Sequence, residues 1–385
     1  MEKVYLIHIG EIALKGRNRK DFQGRLVLNM RKSIADLADD IKIEDRYDKV
    51  LFRGKEFSPQ LEDKLSKVFG IAFFAPALEV KSSIVDIKKA ALQLSQAQKF
   101  QTFALRAKRT DKSFPKTSKQ VEEEIGREVK SKSGGKVSLS NPELTIYIEI
   151  GSKKTYIYTN KIKGSGGLPV GTGAKLVSLL SSGIDSPVAS FLSAKRGAEV
   201  VYCHFHGVPF TNASSINNVG EIVKVLGEYQ AGNKVYLVPF GEAQKEISLK
   251  TNPRFRVVLY RRLMFRVASV IAEKEKALGL VTGDNLGQVA SQTLENMKTV
   301  SAVSNLPIYR PLFGFDKQEI ITKAKQIGTY DISVKPAADC CVLFLPKNPA
   351  TKARLDNVLE EEAKLDVKGL VGVCLKGMEI RQIGN

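Results

Sequence analysis

Cysteine and histidine are scarce in this chain. Four cysteines (Cys203, Cys340, Cys341 and Cys374) and three histidines are spread over 385 residues. That is too few cysteines for a disulfide scaffold. None forms a C-x-x-C pair, so no structural zinc site is expected. Long apolar runs are also missing: nothing approaches the roughly 18 residues of a membrane-spanning helix. The start, Met1-Glu2-Lys3-Val4-Tyr5, opens a strand pattern and lacks the apolar core of a signal peptide. A reducing cytoplasm is the expected setting. There are no internal repeats and no low-complexity tract. The nucleotide-binding pattern G-x-x-x-x-G-K-[ST] occurs nowhere.

What the chain has is positive charge. Lys and Arg total 60 against 41 acids, a net of +19. Residues 1–165 hold a net of +12 and residues 166–385 a net of +7. The shorter N-terminal part therefore carries most of the excess, which points to a polyanionic partner, nucleic acid first and an acidic membrane surface second. Hydrophobic residues make up 43%, enough for sizeable cores, and the length fits two or three domains.

The pattern along the chain changes character once. Val4 to Ile9 reads as a strand, followed by a loop and a helix with Phe22, Leu26, Met30, Ile34 and Leu37 at helical spacing and Asn18 as its cap. Two short strands near 41–46 and 49–53 follow, then a helix opened by Ser58 as N-cap and Pro59 at its first position. This is a small α+β unit with a helix-covered antiparallel sheet. A second such unit has helices near 83–98 and 118–131 and strands at 102–107, 144–150 and 154–158. The stretch Gly164-Ser-Gly-Gly-Leu-Pro-Val-Gly-Thr-Gly173 reads as a domain boundary. Beyond it, short apolar strands alternate with helices: strand 176–180, helix 187–195, strand 199–205, helix 214–229, strand 235–240, helix 254–276 and strand 280–282. That alternation predicts a doubly wound parallel sheet. The expected domains are 1–57, 58–163, a linker at 164–174, and 175–385.

The most informative motif is Leu179-Leu180-Ser181-Ser182-Gly183-Ile184-Asp185-Ser186-Pro187. It lies where a buried strand ends and a helix begins, the edge at which such sheets bind ligands. Small residues let N–H groups converge on an anion. Ser186 is placed to cap the helix, Pro187 suits its first position, and the helix N-terminus adds partial positive charge. The loop is built for phosphate. An ordinary capped strand-to-helix turn is the alternative.

This string resembles the PP-loop, S-G-G-x-D-S, of ATP pyrophosphatases. Four further stretches narrow the likeness: Gly10-Glu-Ile-Ala-Leu-Lys-Gly-Arg-Asn-Arg19, Gly167-Leu-Pro-Val-Gly-Thr-Gly173, Thr282-Gly-Asp-Asn-Leu-Gly-Gln-Val-Ala-Ser-Gln292, and Asp339-Cys-Cys-Val342 with Pro346-Lys-Asn-Pro349. Together they resemble the tRNA 4-thiouridine synthetase (tRNA sulfurtransferase) family through essentially the whole chain. The resemblance implies an α/β and α+β multidomain protein: an N-terminal ferredoxin-like domain, a THUMP RNA-binding domain and a C-terminal PP-loop ATPase domain. Two departures stand out. Ser182 replaces a glycine of the pattern, and a left-handed backbone there would be strained unless the local angle is ordinary. Only 36 residues follow Pro349, too few for the persulfide-carrying rhodanese domain of some family members.

The resemblance implies ATP as co-substrate, with Leu179, Leu180, Ser181, Ser182, Gly183, Ile184, Ser186, His204, Phe205, Arg261, Gly283 and Gln292 around it. Gly283 permits close approach, and Gln292 has the donor and acceptor geometry to read an adenine edge. Asp185 binds Mg2+ or orients the loop, and Lys317 neutralises phosphate charge. No other metal site is expected. Alternatives stand beside these roles: a satisfied strand-end side chain for His204, surface charges for Asp185 and Lys317, and a solvated helix face for Arg261 and its neighbour Arg262. A thiolate can carry a persulfide. The resemblance assigns that role to Cys341, while adjacent Cys340 and Cys341 otherwise read as small buried residues. Cys203 reads as core, and Cys374 stays open as a resolving thiol. Lys15 and Arg17, and Arg106, Lys108, Arg109, Lys112 and Lys116, form two basic clusters suited to RNA phosphates.

The implied activity is ATP-dependent conversion of tRNA uridine 8 to 4-thiouridine. The implied partners are tRNA, a cysteine desulfurase as sulfur donor and the sulfur-carrier protein of thiamine thiazole synthesis, without a membrane. The oligomeric state, a homodimer included, is left open. The rivals are another PP-loop ligase, such as a 2-thiolation or nitrogen-transferring enzyme, and a non-catalytic THUMP RNA-binding protein with a degenerate ATPase. The lack of C-x-x-C argues against iron–sulfur thiolases.

Overall fold

The computed structural model describes residues 1–37, 41–46, 49–54, 58–230, 232–337, 344 and 346–384. The chain divides into two compact units, Met1–Gly167 and Leu168–Asn385. The glycine-rich stretch between the two patterns is hydrogen-bonded on both sides of the division. Gly164 and Gly166 donate to Ala72 and Ile71 of the first unit, and Leu168, Gly171 and Gly173 donate to Lys195 and Gly197 of the second.

The first unit is built on one sheet, nine-stranded among the described residues. Its order runs Lys42–Arg46, Lys49–Arg53, Glu2–Ile9, Ile71–Lys81, Lys154–Tyr158, Leu144–Ile150, Thr102–Arg109, Lys136–Val137, with Ile162–Lys163 on Ile71–Lys81. Ile71–Lys81 is long enough to serve both halves, so the two predicted α+β patterns share a sheet. Four helices cover one face. Arg19–Ser33 and Pro59–Lys67 enclose Tyr5, Ile7, Phe52 and Phe74. Ile84–Gln96 and Ser118–Ser133 enclose Leu78, Val80, Phe103 and Ile148. Ser58 caps its helix as expected, accepting from the Leu61 N–H. Asn18 does not: its side chain makes no capping bond, because Gly16–Asn18 is itself a tight helical turn leading directly into the helix.

The opposite face buries charge. Glu149 and Lys49 are 8% and 6% exposed, and their carboxylate and ammonium lie 3.1 Å apart. Three strands separate them in the sheet. A flat sheet would place their backbones about 19 Å apart, so the sheet curls until its two halves meet. His8 Nε2 lies 2.9 Å from Glu149 Oε1, and the Tyr158 hydroxyl donates to the same oxygen at 2.9 Å. Burial pushes the Glu149 carboxyl up, but His8, Lys49 and Tyr158 outweigh it and hold it down at about 2.

The second unit carries a six-stranded sheet in the order Ile308–Tyr309, Leu280–Val281, Lys175–Leu179, Glu199–His206, Lys234–Pro239, Glu379–Gln382. All pairings are parallel except the last, where Glu379–Gln382 adds antiparallel to the edge. The buried helix Arg256–Lys274 packs against this sheet through Val258, Leu259, Leu263, Val267 and Ile271. Arg262 corrects an expectation. It is 2% exposed, and with Arg266 it grips Glu362 of helix Leu355–Glu362, which anchors that helix to the core. The helices Gly241–Lys250, Leu294–Ser301 and Val367–Lys376 were not anticipated from the sequence.

Glu149→Gln removes the charge that Lys49 needs and leaves the ammonium buried. We expect a loss of about 3 kcal/mol, measured by denaturant unfolding near neutral pH. In the native protein this contribution is complete above the unfolded carboxyl value of about 4.5 and is lost as the pH falls through about 2. The variant's deficit should therefore shrink on acidification, and a constant deficit would refute the charge-based account.

Candidate nucleotide-binding and catalytic site

Three parallel strand ends meet at one edge of the second sheet: Leu179, Cys203–His206 and Val281. Leu180 N–H donates to Cys203 O at 2.8 Å, so the loop leaves the strand still paired. His204, 1% exposed, holds the Leu180 carbonyl through Nδ1 at 2.8 Å and meets Ser215 Oγ through Nε2 at 3.3 Å. Its ring is a satisfied strand-end group that also lines the cleft.

The helix after the loop begins at Asp185, earlier than expected, and no side chain caps it. Ser186 corrects its predicted role. It lies inside the first turn, and its Oγ turns back to accept from Ser181 N–H at 2.8 Å, which tightens the loop. With no side-chain cap, the entrance of this 11-residue helix keeps first-turn N–H groups for an anion. Ser182 does not strain the loop. Among the described residues only Lys276 and Phe344 are non-glycines with positive φ, so the backbone at Ser182 is ordinary.

Gly283 fixes the loop from the other side. A Cβ there would lie 2.7 Å from Ser186 N and 2.9 Å from its Cα. The backbone after strand Leu280–Val281 thus rests directly on the helix entrance. The following segment is clamped by a buried carboxylate. Asp284, 4% exposed, accepts from Arg261 Nη2 at 2.5 and 2.6 Å and from Arg310 Nε at 3.2 Å. Burial pushes its carboxyl up, yet the two guanidiniums hold it below the usual range. Arg261 also reaches Ser291 O at 3.4 Å. Arg261 therefore belongs to the wall of the cleft and organises the 282–292 loop, and it is not a solvated helix residue.

The cleft has a volume of about 510 Å³. Leu179, Leu180, Ser181, Asp185, Ser186, His204, Phe205, Arg261, Gly283 and Gln292, ten of the residues singled out from the sequence, line it. Ser182, Gly183 and Ile184 belong to the loop without being part of the cleft lining. Val257, Val258, Met264 and Val289 supply an apolar wall that sequence reasoning missed. Gln292 Oε1 is buried there with no hydrogen-bond partner among the described residues, an acceptor suited to an exocyclic amine. An apolar wall, an acceptor at Gln292 and an uncapped helix entrance in one cleft fit a nucleoside with phosphates.

Lys317, from the loop side of helix Lys317–Ile327, pairs with Asp185: Nζ lies 2.7 Å from Oδ1. Gln288 Nε2 donates to the other oxygen at 2.9 Å. The two candidate catalytic groups thus form one ion-paired unit, with Lys317 still 45% exposed. Asp284, Arg310 and Gln288 were not singled out from the sequence. The signal available was a string of polar residues, Thr282 to Gln288, directly after a strand. Cys341 and Cys340 lie outside the described residues. Cys203 lines the cleft but is fully buried, and burial pushes its thiol up. Cys374 is also fully buried, its thiol pushed up by burial to about 12.

In the first unit, Arg106, Lys108, Lys112 and Arg17 are exposed. Arg109 instead donates to Phe114 and Lys116 carbonyls, and Lys116 pairs with Glu124 at 2.6 Å, so both shape the basic loop. Lys15 lies over the Phe22 ring at 5.0 Å.

Comparison with known proteins matches the family profile described as thiamine biosynthesis protein (ThiI) to residues 171–367. The ThiI ferredoxin-like domain matches residues 4–75 and the THUMP domain residues 81–160. The chain belongs to the ThiI family. It is 40% identical over 372 residues to a probable tRNA sulfurtransferase of Caldanaerobacter subterraneus subsp. tengcongensis, covering 96% of this chain and 97% of that one. It is 40% identical over 383 residues to a probable tRNA sulfurtransferase of Thermus thermophilus, covering 99% and 94%. Among solved structures, a 4-thiouridine synthetase–RNA complex with bound ATP matches with a TM-score of 0.90 and 35% identity over 100% of both chains. PH1313 of Pyrococcus horikoshii matches with a TM-score of 0.66 and 25% identity, covering 85% of this chain and 99% of that one. The ferredoxin-like, THUMP and PP-loop architecture expected from the sequence is thus the architecture of the ThiI chain.

The site geometry separates two substitutions in the nucleotide loop. Gly283→Ala must push the helix entrance away, and we expect ATP affinity to fall at least tenfold by calorimetry. Ser182→Gly relieves no strain, so affinity should stay within twofold, with a stability loss of roughly 0.5–1 kcal/mol. A large gain in affinity for Ser182→Gly would show that the serine backbone is constrained after all.

Proposed function

We propose that this chain is an ATP-dependent tRNA sulfurtransferase that converts uridine 8 of tRNA to 4-thiouridine. The observation that carries this reading is the uncapped helix entrance at the edge of a nucleoside-sized cleft, where Asp185 lines the cleft and Lys317 pairs with it from outside. ATP is the co-substrate. Its base would occupy the apolar slot near Gln292, and its phosphates would meet the Ser181–Ser186 loop. No cluster of three or more metal-ligating side chains exists among the described residues. Mg2+ would instead be held by the phosphates and a single carboxylate, Asp185, a mode that suits an ion that keeps its waters. When bound, it would offset phosphate charge.

In the reaction, uridine O4 attacks the α-phosphorus of ATP, the N3 proton passes to solvent and pyrophosphate leaves. Lys317 neutralises charge that builds on the phosphates. A persulfide on Cys341 then attacks C4 through its terminal sulfur, and AMP departs with the former O4. A second thiol attacks Cys341 Sγ, forming a disulfide and leaving the terminal sulfur on the base with the bonding electron pair. A thiol reductant restores the cysteines. The deep burial of Cys203 and Cys374 favours a resolving thiol from Cys340 or from outside the chain. A cysteine desulfurase would supply the sulfur, and the same persulfide would serve the sulfur-carrier protein of thiazole synthesis. A cytoplasmic setting follows from these partners.

The test is nucleoside mass analysis after incubation with tRNA, ATP and a persulfide donor. The unaltered protein should form 4-thiouridine, and a failure to do so would overturn the reading. Asp185→Ala should lose thiolation and pyrophosphate release at least 100-fold while tRNA binding persists. Cys341→Ser should lose thiolation but keep pyrophosphate release. Full thiolation by this variant would remove the persulfide role and leave direct sulfide attack.

RNA binding has its own signature. Each phosphate contact contributes about 0.7–0.9 log units in affinity per log unit of salt. Neutralising exposed Lys108 and Lys112 should flatten the slope by roughly 1.5. Lys116→Ala should change it little, because Lys116 is spent on Glu124. Unchanged slopes in the double variant would move the RNA surface elsewhere.

A further inference from the structure

A second pocket, of about 470 Å³, adjoins the cleft across the Asp185 carboxylate. Its walls are two loops, 285–288 and 313–317. Gln288 and Lys317 line it, and both hold Asp185, which lines the cleft. The loops are tied together: Leu286 N–H donates to Phe313 O at 3.3 Å, and the buried Asn285 amide donates to Phe315 O. The pocket is therefore preformed. At its mouth Phe313 and Leu286 are 43% and 40% exposed, apolar groups left in solvent beside polar ones.

The lining as a whole is poorly suited to a polyanion. It holds one ammonium, already paired, and the carboxylate of Asp316, which caps its helix by accepting from Glu319 N–H at 2.8 Å. Aromatic and aliphatic side chains beside the polar groups of Gln288 and Lys317 suit a flat ring with a polar edge. Unpaired bases of RNA are recognised in this way, splayed out and stacked on aromatic rings.

We infer that this pocket receives the acceptor uracil, flipped from the RNA and stacked on Phe313, with its 4-oxo edge toward Lys317 and Gln288. The inference rests on the sulfurtransferase reading and adds the seat of the second substrate. Lys317 has three donors and gives one to Asp185, so it can also donate to O4. Gln288 gives Nε2 to Asp185, and its Oε1 can accept from N3–H. A uracil has this acceptor and donor side by side; a cytosine reverses them and would meet two mismatches. O4 would then lie on the Asp185 side of the pocket, toward the nucleotide loop that it must reach. Phe313 is a positioning and specificity residue here, since it touches the base but not the phosphates.

The product base supplies the probe, because 4-thiouridine forms covalent adducts with groups in contact when irradiated in the near ultraviolet. The full-length protein would be irradiated with tRNA carrying 4-thiouridine at the acceptor position, and the adduct located by peptide mass analysis. We expect it on residues 286–288 or 313–317. Phe313→Ala should reduce adduct yield and thiolation by about 5- to 150-fold, the worth of one base stacked on one ring. ATP affinity and total tRNA binding should stay within twofold, and Phe313→Tyr should retain activity. An adduct on any other segment, in protein that thiolates tRNA, overturns the pocket but not the activity. Unchanged adduct and thiolation in Phe313→Ala does the same. Absence of any thiolation by the unaltered protein overturns the activity reading, and the pocket with it.

Discussion

The site depends on one close approach. The backbone at Gly283 rests on the backbone of Asp185 and Ser186, with no room for even a methyl group between them. That contact joins two parallel strands at their carboxyl ends and sets where the helix begins. Asp185 is thereby placed at the rim, within reach of Lys317 and Gln288. The Asp284 clamp keeps the Gly283 segment in place from behind, with Arg261 and Arg310 converging from separate elements. Backbone contact, buried carboxylate and rim carboxylate form a chain of supports in which each position depends on the one before.

Much of this was legible because local rules and function coincide. The strand-to-helix loop announced itself by small residues before Pro187, and ten of the anticipated residues share one cleft. Ser58 capped as a serine before proline should. The failures are also physical. Ser186 has the residue type of a cap, but its hydroxyl is used inside the loop, and a one-dimensional pattern cannot show which N–H it meets. Arg262 looked solvated because arginine usually is. Its partner Glu362 is 100 residues away in sequence, so only the fold could reveal it. The shared sheet of the first unit escaped for the same reason: strand Ile71–Lys81 sits at the junction of two local patterns, each plausible alone.

The first unit balances two demands on its charges. An RNA-binding surface needs cations in solvent, and a curled sheet needs its inner face filled. Lys49 and Arg53 meet the second demand, paired with Glu149 and Glu79. Lys108, Lys112 and Arg17 remain outside. Net charge alone therefore overstates the surface offered to a polyanion.

The antiparallel edge strand of the second unit has a consequence for synthesis. Glu379–Gln382 pairs with Lys234–Pro239, a strand made far earlier on the ribosome. Until the later segment emerges, the Val235–Val238 backbone has an open flank on that side, with apolar side chains beside it. Such a flank is a template for foreign strands. Nascent chains stalled before residue 379 should thus be the ones that chaperones retain, and segment 379–382 acts as the closure that makes the nucleotide-binding unit safe to release.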